Sequence, residues 1–129
     1  TLGLAAEREK VQPDPVITAA AAKHLVDKYT RAEPADSPRL RLSFPPGIAL
    51  PPILIQAGGV EFLAADAQQL AHMIEQAGGQ CDLQVWPGQI HVFQALPRLI
   101  PEANPALSEA ARFITGVLTH RPSRTARTA

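Results

Sequence analysis

A chain of 129 residues that is 46% apolar and 19% charged is long enough to bury a core and too apolar to be a disordered segment. Twelve basic residues balance twelve acidic ones, so no net field recruits nucleic acid or an anionic membrane surface. The apolar runs are too short for a transmembrane helix, and the single cysteine, Cys81, excludes an internal disulfide and suits a reducing compartment such as the cytoplasm. A start at Thr1, without a basic-then-apolar leader, reads as a piece of a longer polypeptide or a shortened product.

The first thirteen residues hold a short apolar start (Leu2, Leu4) and the charged run Glu7-Arg8-Glu9-Lys10. Asp14-Pro15 supplies a cap acceptor followed by proline, which predicts a helix from about Val16 to Tyr29 through the alanine block Ala19 to Ala22. Residues 30–52 are proline-rich and lack helical or strand period, so they are expected to form a long loop. Ile53-Leu54-Ile55-Gln56-Ala57 has the continuous apolar character of a buried parallel strand.

Asp66 then reads as the cap of a helix whose apolar face is Ala67, Leu70, Ala71, Ile74 and Ala77, ended by Gly78-Gly79. Leu83, Val85 and Trp86 mark a second strand. A strand–helix–strand connection predicts a right-handed crossover and parallel pairing. Asn104-Pro105 opens a last helix expected to bury Leu107, Ala110, Ala111, Ile114 and Val117, with Leu118 at its end. Residues 119–129 carry Arg121, Arg124 and Arg127 with no apolar period and are expected to be a disordered tail.

Ligands of open parallel sheets bind beyond the carboxyl ends of the strands. Glu61 follows the end of the first strand and His91 follows the end of the second, so both are expected on one sheet edge. A carboxylate there can accept a hydrogen bond from one imidazole nitrogen and leave the other to take a proton from a hydroxyl nucleophile. The order acid then histidine matches Ser…Asp/Glu…His.

Leu50-Pro51-Pro52-Ile53-Leu54-Ile55-Gln56-Ala57-Gly58, Glu61-Phe62-Leu63 with Asp66-Ala67, and Trp86-Pro87-Gly88 with His91-Val92-Phe93 resemble the carboxy-terminal third of the hormone-sensitive-lipase-like α/β-hydrolases, a family of esterases and lipases. The resemblance covers about Asp14 to Leu118. It implies an α/β fold with a mostly parallel sheet and flanking helices, His91 as catalytic base and Glu61 at the acid position. It also implies that Asp14 to about Asp36 lies near the substrate pocket, that the substrate is a small carboxylic ester, and that no cofactor or metal takes part.

The sequence departs from the family at the nucleophile. No Gly-x-Ser-x-Gly elbow and no His-Gly-Gly-type oxyanion loop occurs: Ser37, Ser43, Ser108 and Ser123 lack flanking glycines, and Cys81 sits in Gly-Gln-Cys-Asp-Leu. Residues 1–118 are therefore expected to supply the acid and histidine of a serine triad, with the serine on a missing amino-terminal portion of the fold. The alternative is a non-catalytic remnant that acts as a packing or regulatory module, or has no function, and whose uncovered faces favour association, a homo-oligomer included.

Each residue also has a plainer reading. His91 alone would be an exposed loop histidine and Glu61 a surface acid. Asp66 is the rival acid, although helix capping accounts for it. Gly58-Gly59 lacks the spacing of a phosphate-binding loop. His24 and His72 fall within helices and show no metal-ligand spacing with neighbouring acids. Cys81 and Trp86 read as packing residues.

Overall fold

Two parallel strands joined by one helix carry the two candidate loops. The computed structural model describes residues 3–11, 13–31, 33–34, 37, 40, 42–45 and 47–119. Strand β1 (Ile53–Gly58) pairs with β2 (Cys81–Trp86) in parallel, in register from Ile53 opposite Cys81 to Gly58 opposite Trp86. Among the described residues the sheet has these two strands. The connection is α3 (Ala64–Gln76), which buries Ala64 together with Ala71 and Ile74 of the expected apolar face, whereas Ala67, Leu70 and Ala77 are half-buried. Gly78 turns the chain out of α3 at φ +81°, and the amides of Gly78 and Gly79 donate to the carbonyls of Glu75 and Ile74, each at 2.9 Å.

Helices α1 (Gly3–Val11) and α2 (Ala19–Thr30) precede the sheet, and α4 (Ala103–Thr119) follows it. The core is divided between the two loops. Ala19 and Ala22 of α2 pack on Phe62, flanked by Ile17 and Leu63. Phe93, Ala103 and Ala106 form the second cluster, against Trp86, Ile90 and Ile100. Gln56 joins strands and helix: its amide donates to Gln84 Oε1 (3.0 Å) and to the Ala106 carbonyl (2.8 Å), and its own carbonyl accepts from Gln94. Among the described residues no helix is long and apolar enough to cross a membrane.

Several local expectations are corrected. Residues 3–11, which hold the end of the apolar start and the charged run and carry no helix signal of their own, are helical. Helix α2 starts at Ala19 rather than near Val16, and its cap is Thr18, whose Oγ1 accepts from the Ala21 amide. Asp14 is drawn away from that capping role because its carboxylate closes a turn over Val16 and Ile17 instead. Asp66 lies inside the first turn of α3, not at its cap. Leu63 holds the cap position and makes no side-chain capping bond.

Helix α4 begins at Ala103, with Asn104 inside it donating to the Pro97 carbonyl. It buries Ala103 and Ala106, whereas Leu107, Ile114 and Leu118 are 45%, 56% and 73% exposed. Periodicity identifies residues that share a face; it does not say what covers that face. Thr119 closes α4, and the rest of the expected tail, residues 120–129, lies outside the described residues.

Candidate active site

Because β1 and β2 end together at Gly58 and Trp86, the loops that follow leave the sheet at one edge. Their backbones are joined at once. The Gly59 amide donates to the Trp86 carbonyl (2.7 Å) and the Val60 amide to the Gln89 carbonyl (3.1 Å). A Cβ at Gly59 would stand 3.0 Å from that Trp86 oxygen, so the glycine serves the close approach of two loops.

The histidine loop opens with a tight turn. Pro87 and Gly88 are its central residues, Gly88 has φ +71°, and the Gln89 amide returns to the Trp86 carbonyl at 3.2 Å. Proline followed by a glycine of positive φ is the residue pair a type II turn demands. Beyond His91 the chain turns again through Val92 at φ 56°, ψ 32°, a left-handed conformation that a β-branched side chain rarely adopts. Phe93 anchors the far end: it is 0% exposed and lies 5.7 Å from the Trp86 ring, centroid to centroid.

Glu61 is 6% exposed, in the turn that leads from β1 into α3. Its Oε2 lies 2.9 Å from His91 Nδ1, and the imidazole is 33% exposed. An ionised carboxylate only accepts, so this contact assigns the proton of a neutral imidazole to Nδ1 and leaves Nε2 with its lone pair. Phe62 supports the same ring from the side, at 6.2 Å between centroids and a 57° tilt.

The other sequence candidates lie elsewhere. Asp66 has a buried Oδ2 without a hydrogen-bond partner, and burial pushes its carboxyl above the ordinary range. Glu61, not Asp66, is the carboxylate on His91. Cys81 opens β2, at the end of the strand opposite the histidine loop, roughly 16 Å away at the rise of an extended chain. Burial, with the charges of Glu75 and Asp82, pushes its thiol up, the wrong direction for a nucleophile. The hydroxyl of Ser108 donates to the Asn104 carbonyl within α4. His24 and His72 are exposed on α2 and α3.

At this site Asp14 takes a part other than the helix cap its sequence suggests, and Arg8 takes one that no motif marks. Asp14, 7% exposed, accepts from the Val16 and Ile17 amides through Oδ1 and from the Phe62 amide through Oδ2 at 2.9 Å. Burial works to raise its pKa, but the amides of Val16, Phe62 and Ile17, with the charge of His91, outweigh it and hold the carboxyl below its usual range. Arg8 donates from Nη2 to the Gly59 carbonyl (2.6 Å) and from Nε to the Glu61 carbonyl (3.1 Å). The Asp-Pro pair was a turn signal that could have placed Asp14. Nothing in the sequence links Arg8 to a loop 51 positions away.

Comparison with known proteins bears on the fold and the family. Residues 3–95 match a family of the α/β-hydrolase fold. The chain is similar to a carboxylesterase/phospholipase, LipF, of Mycobacterium tuberculosis, 40% identical over 98 residues that cover 76% of this chain and 25% of that protein. An esterase of the same organism, LipU, is 36% identical over 101 residues, covering 78% of this chain and 32% of the relative. Among solved structures, an esterase of the bacterial hormone-sensitive lipase family superposes with a TM-score of 0.74 at 27% identity, over 84% of this chain and 36% of that one. The chain thus spans about a quarter to a third of the length of these curated relatives.

Proposed function

The chain belongs to the α/β-hydrolase-fold family, among the esterases and lipases of the hormone-sensitive-lipase type, and on that premise we propose that it supplies the acid and the base of a serine carboxylic ester hydrolase. His91 Nε2 takes the proton of a serine hydroxyl as its oxygen attacks the ester carbonyl. The imidazolium so formed is stabilised by Glu61 through Nδ1–H and returns the proton to the departing alcohol. Water, activated by the same nitrogen, then releases the acid from the acyl-enzyme. The serine and the oxyanion donors come from residues outside this sequence, and the substrate is an ester of a short or medium acyl chain.

The observation that carries this reading is the 2.9 Å contact between Glu61 Oε2 and His91 Nδ1, made by a buried carboxylate to a partly open imidazole. The test is hydrolysis of a chromogenic short-chain ester. The isolated chain should turn over near background, because triad members act as a unit. A polypeptide joining this sequence to the Gly-x-Ser-x-Gly segment of a related esterase should be active and lose that activity in His91→Ala. Robust His91-dependent turnover by the isolated chain would refute an external nucleophile, and full activity of the joined His91→Ala variant would refute the base.

A second reading, a non-catalytic packing module, draws on the exposed Leu107, Ile114 and Leu118 of α4 together with Leu25 and Tyr29 of α2. It predicts concentration-dependent association of the chain together with an inactive joined polypeptide.

A further inference from the structure

We propose that Asp14 and Arg8 are positioning residues for the Glu61–His91 pair, gripping the backbone of the acid loop on both sides of Glu61. This rests on the reading of that pair as acid and base. Between Gly59 and Phe62 the loop presents three backbone groups to these side chains. Arg8 takes the Gly59 carbonyl (2.6 Å) and the Glu61 carbonyl (3.1 Å), and Asp14 takes the Phe62 amide (2.9 Å). The amides of Gly59 and Val60 are already committed to the histidine loop. Each residue from 59 to 62 is therefore held by at least one named bond, and Glu61 has little freedom to carry its carboxylate away from Nδ1.

A local role does not account for Asp14. The turn over Val16 and Ile17 uses Oδ1 alone and would form as well on the surface. Instead the carboxylate is buried, and Oδ2 reaches an amide 48 positions away. Burying a carboxylate is costly unless several donors compensate, and three amides do so here. The amide it holds belongs to Phe62, the residue whose ring leans on His91. The fork of Arg8 suits the opposite task, since one planar group bonds two carbonyls that a single ammonium would reach less well. Both contacts join the segment before α2 to the acid loop, so the first helix and the turn after it act on the pair without touching the imidazole nitrogens.

The test is nitrogen NMR of the His91 ring in the 129-residue chain, at a pH where the imidazole is neutral, with thermal unfolding recorded in parallel. The wild type should show the Nδ1–H form in excess. Glu61→Gln should abolish that preference. Asp14→Ala and Arg8→Ala should each lower the ratio of Nδ1–H to Nε2–H forms by roughly fivefold to tenfold, the equivalent of one net hydrogen bond. Arg8→Lys should fall between Arg8→Ala and wild type.

Thr18→Ala, which removes the side-chain acceptor of the Ala21 amide at the α2 cap, should lower the unfolding temperature and leave the ratio unchanged. A ratio unmoved by Glu61→Gln would overturn the reading of the pair itself. A ratio moved by Glu61→Gln but unmoved in folded Asp14→Ala or Arg8→Ala would overturn the positioning role alone. Should Asp14→Ala not fold, Asp14→Asn replaces it: the amide keeps an acceptor for the local turn and sets a donor against Phe62, and an unchanged ratio there has the same meaning. A shift of equal size in Thr18→Ala would also overturn the proposal, because general loosening would then suffice.

Discussion

Gly58 meets the histidine loop so closely that a Cβ on it would stand 2.3 Å from the Gln89 carbonyl oxygen and 2.7 Å from that of Ile90. Both obstacles are backbone, so no side-chain rotation relieves the clash and the loops themselves must part. Gly58→Ala should destabilise by about 1–3 kcal/mol, the usual cost of forcing a methyl into a filled space. The displaced backbone carries Glu61 and His91 with it. The variant should therefore lose the Nδ1–H preference of His91 while a comparable change at Gly116 of α4, where nothing lies within 4 Å of a Cβ, leaves it intact. Equal effects at both glycines would count against the close contact as the cause.

The distinction between the two acids is testable by rate. In the joined, active polypeptide, Glu61→Gln keeps the shape of the side chain and removes its charge. It should lower kcat by roughly 10³–10⁴-fold, the loss that follows when the acid of a triad is neutralised. Asp66→Asn, whose carboxylate has no bond to the imidazole, should leave kcat within a few-fold of wild type. The reverse outcome would move the acid role to Asp66.

Much of this site is legible in the sequence because its parts are local. The apolar run from Ile53 and the three-four spacing on α3 are short-range signals, and they appear in the structure as strand β1 and as a helix that buries Ala71 and Ile74. What the sequence hides is long-range. The bonds from Arg8 to Gly59 and from Asp14 to Phe62 span 51 and 48 positions and leave no period to read. The sequence suggests a helix cap at Asp14 for a related reason. An aspartate before proline suits a cap and a turn equally, and the choice here falls to the turn that also lets Oδ2 reach Phe62.

Asp14 and Asp66 should move stability in opposite directions with pH. The folded carboxyl of Asp14 lies below its ordinary value of 3.8, so its contribution is present above that value and is lost as pH falls through the lower folded value. Asp14→Asn should be less stable than wild type at neutral pH, with the gap narrowing in acid. The folded carboxyl of Asp66 lies above 3.8, so its favourable, protonated state holds below that value and is lost as pH rises through the folded one. Asp66→Asn should therefore be the more stable protein at neutral pH, with no advantage in acid. Urea midpoints of the three proteins across that interval measure both signs, and parallel curves would contradict both.

Val92 stores strain beside His91. At φ 56° and ψ 32° its branched side chain sits in the left-handed region at an estimated cost of about 1–2 kcal/mol, and with 51% of its surface exposed it regains little by burial. Asparagine tolerates this conformation without the extra chain freedom that glycine brings to the unfolded state. Val92→Asn should thus stabilise the chain by roughly 0.5–1 kcal/mol, read as a raised unfolding temperature. The strain also marks what the turn accomplishes. The reversal at Val92 sends Phe93 into the cluster with Trp86 while His91 stays at the sheet edge facing Glu61. If asparagine keeps that reversal, the His91 tautomer ratio stays at the wild-type value as stability rises. A stabilised variant with a disturbed ratio would show instead that the valine side chain itself holds the imidazole in place.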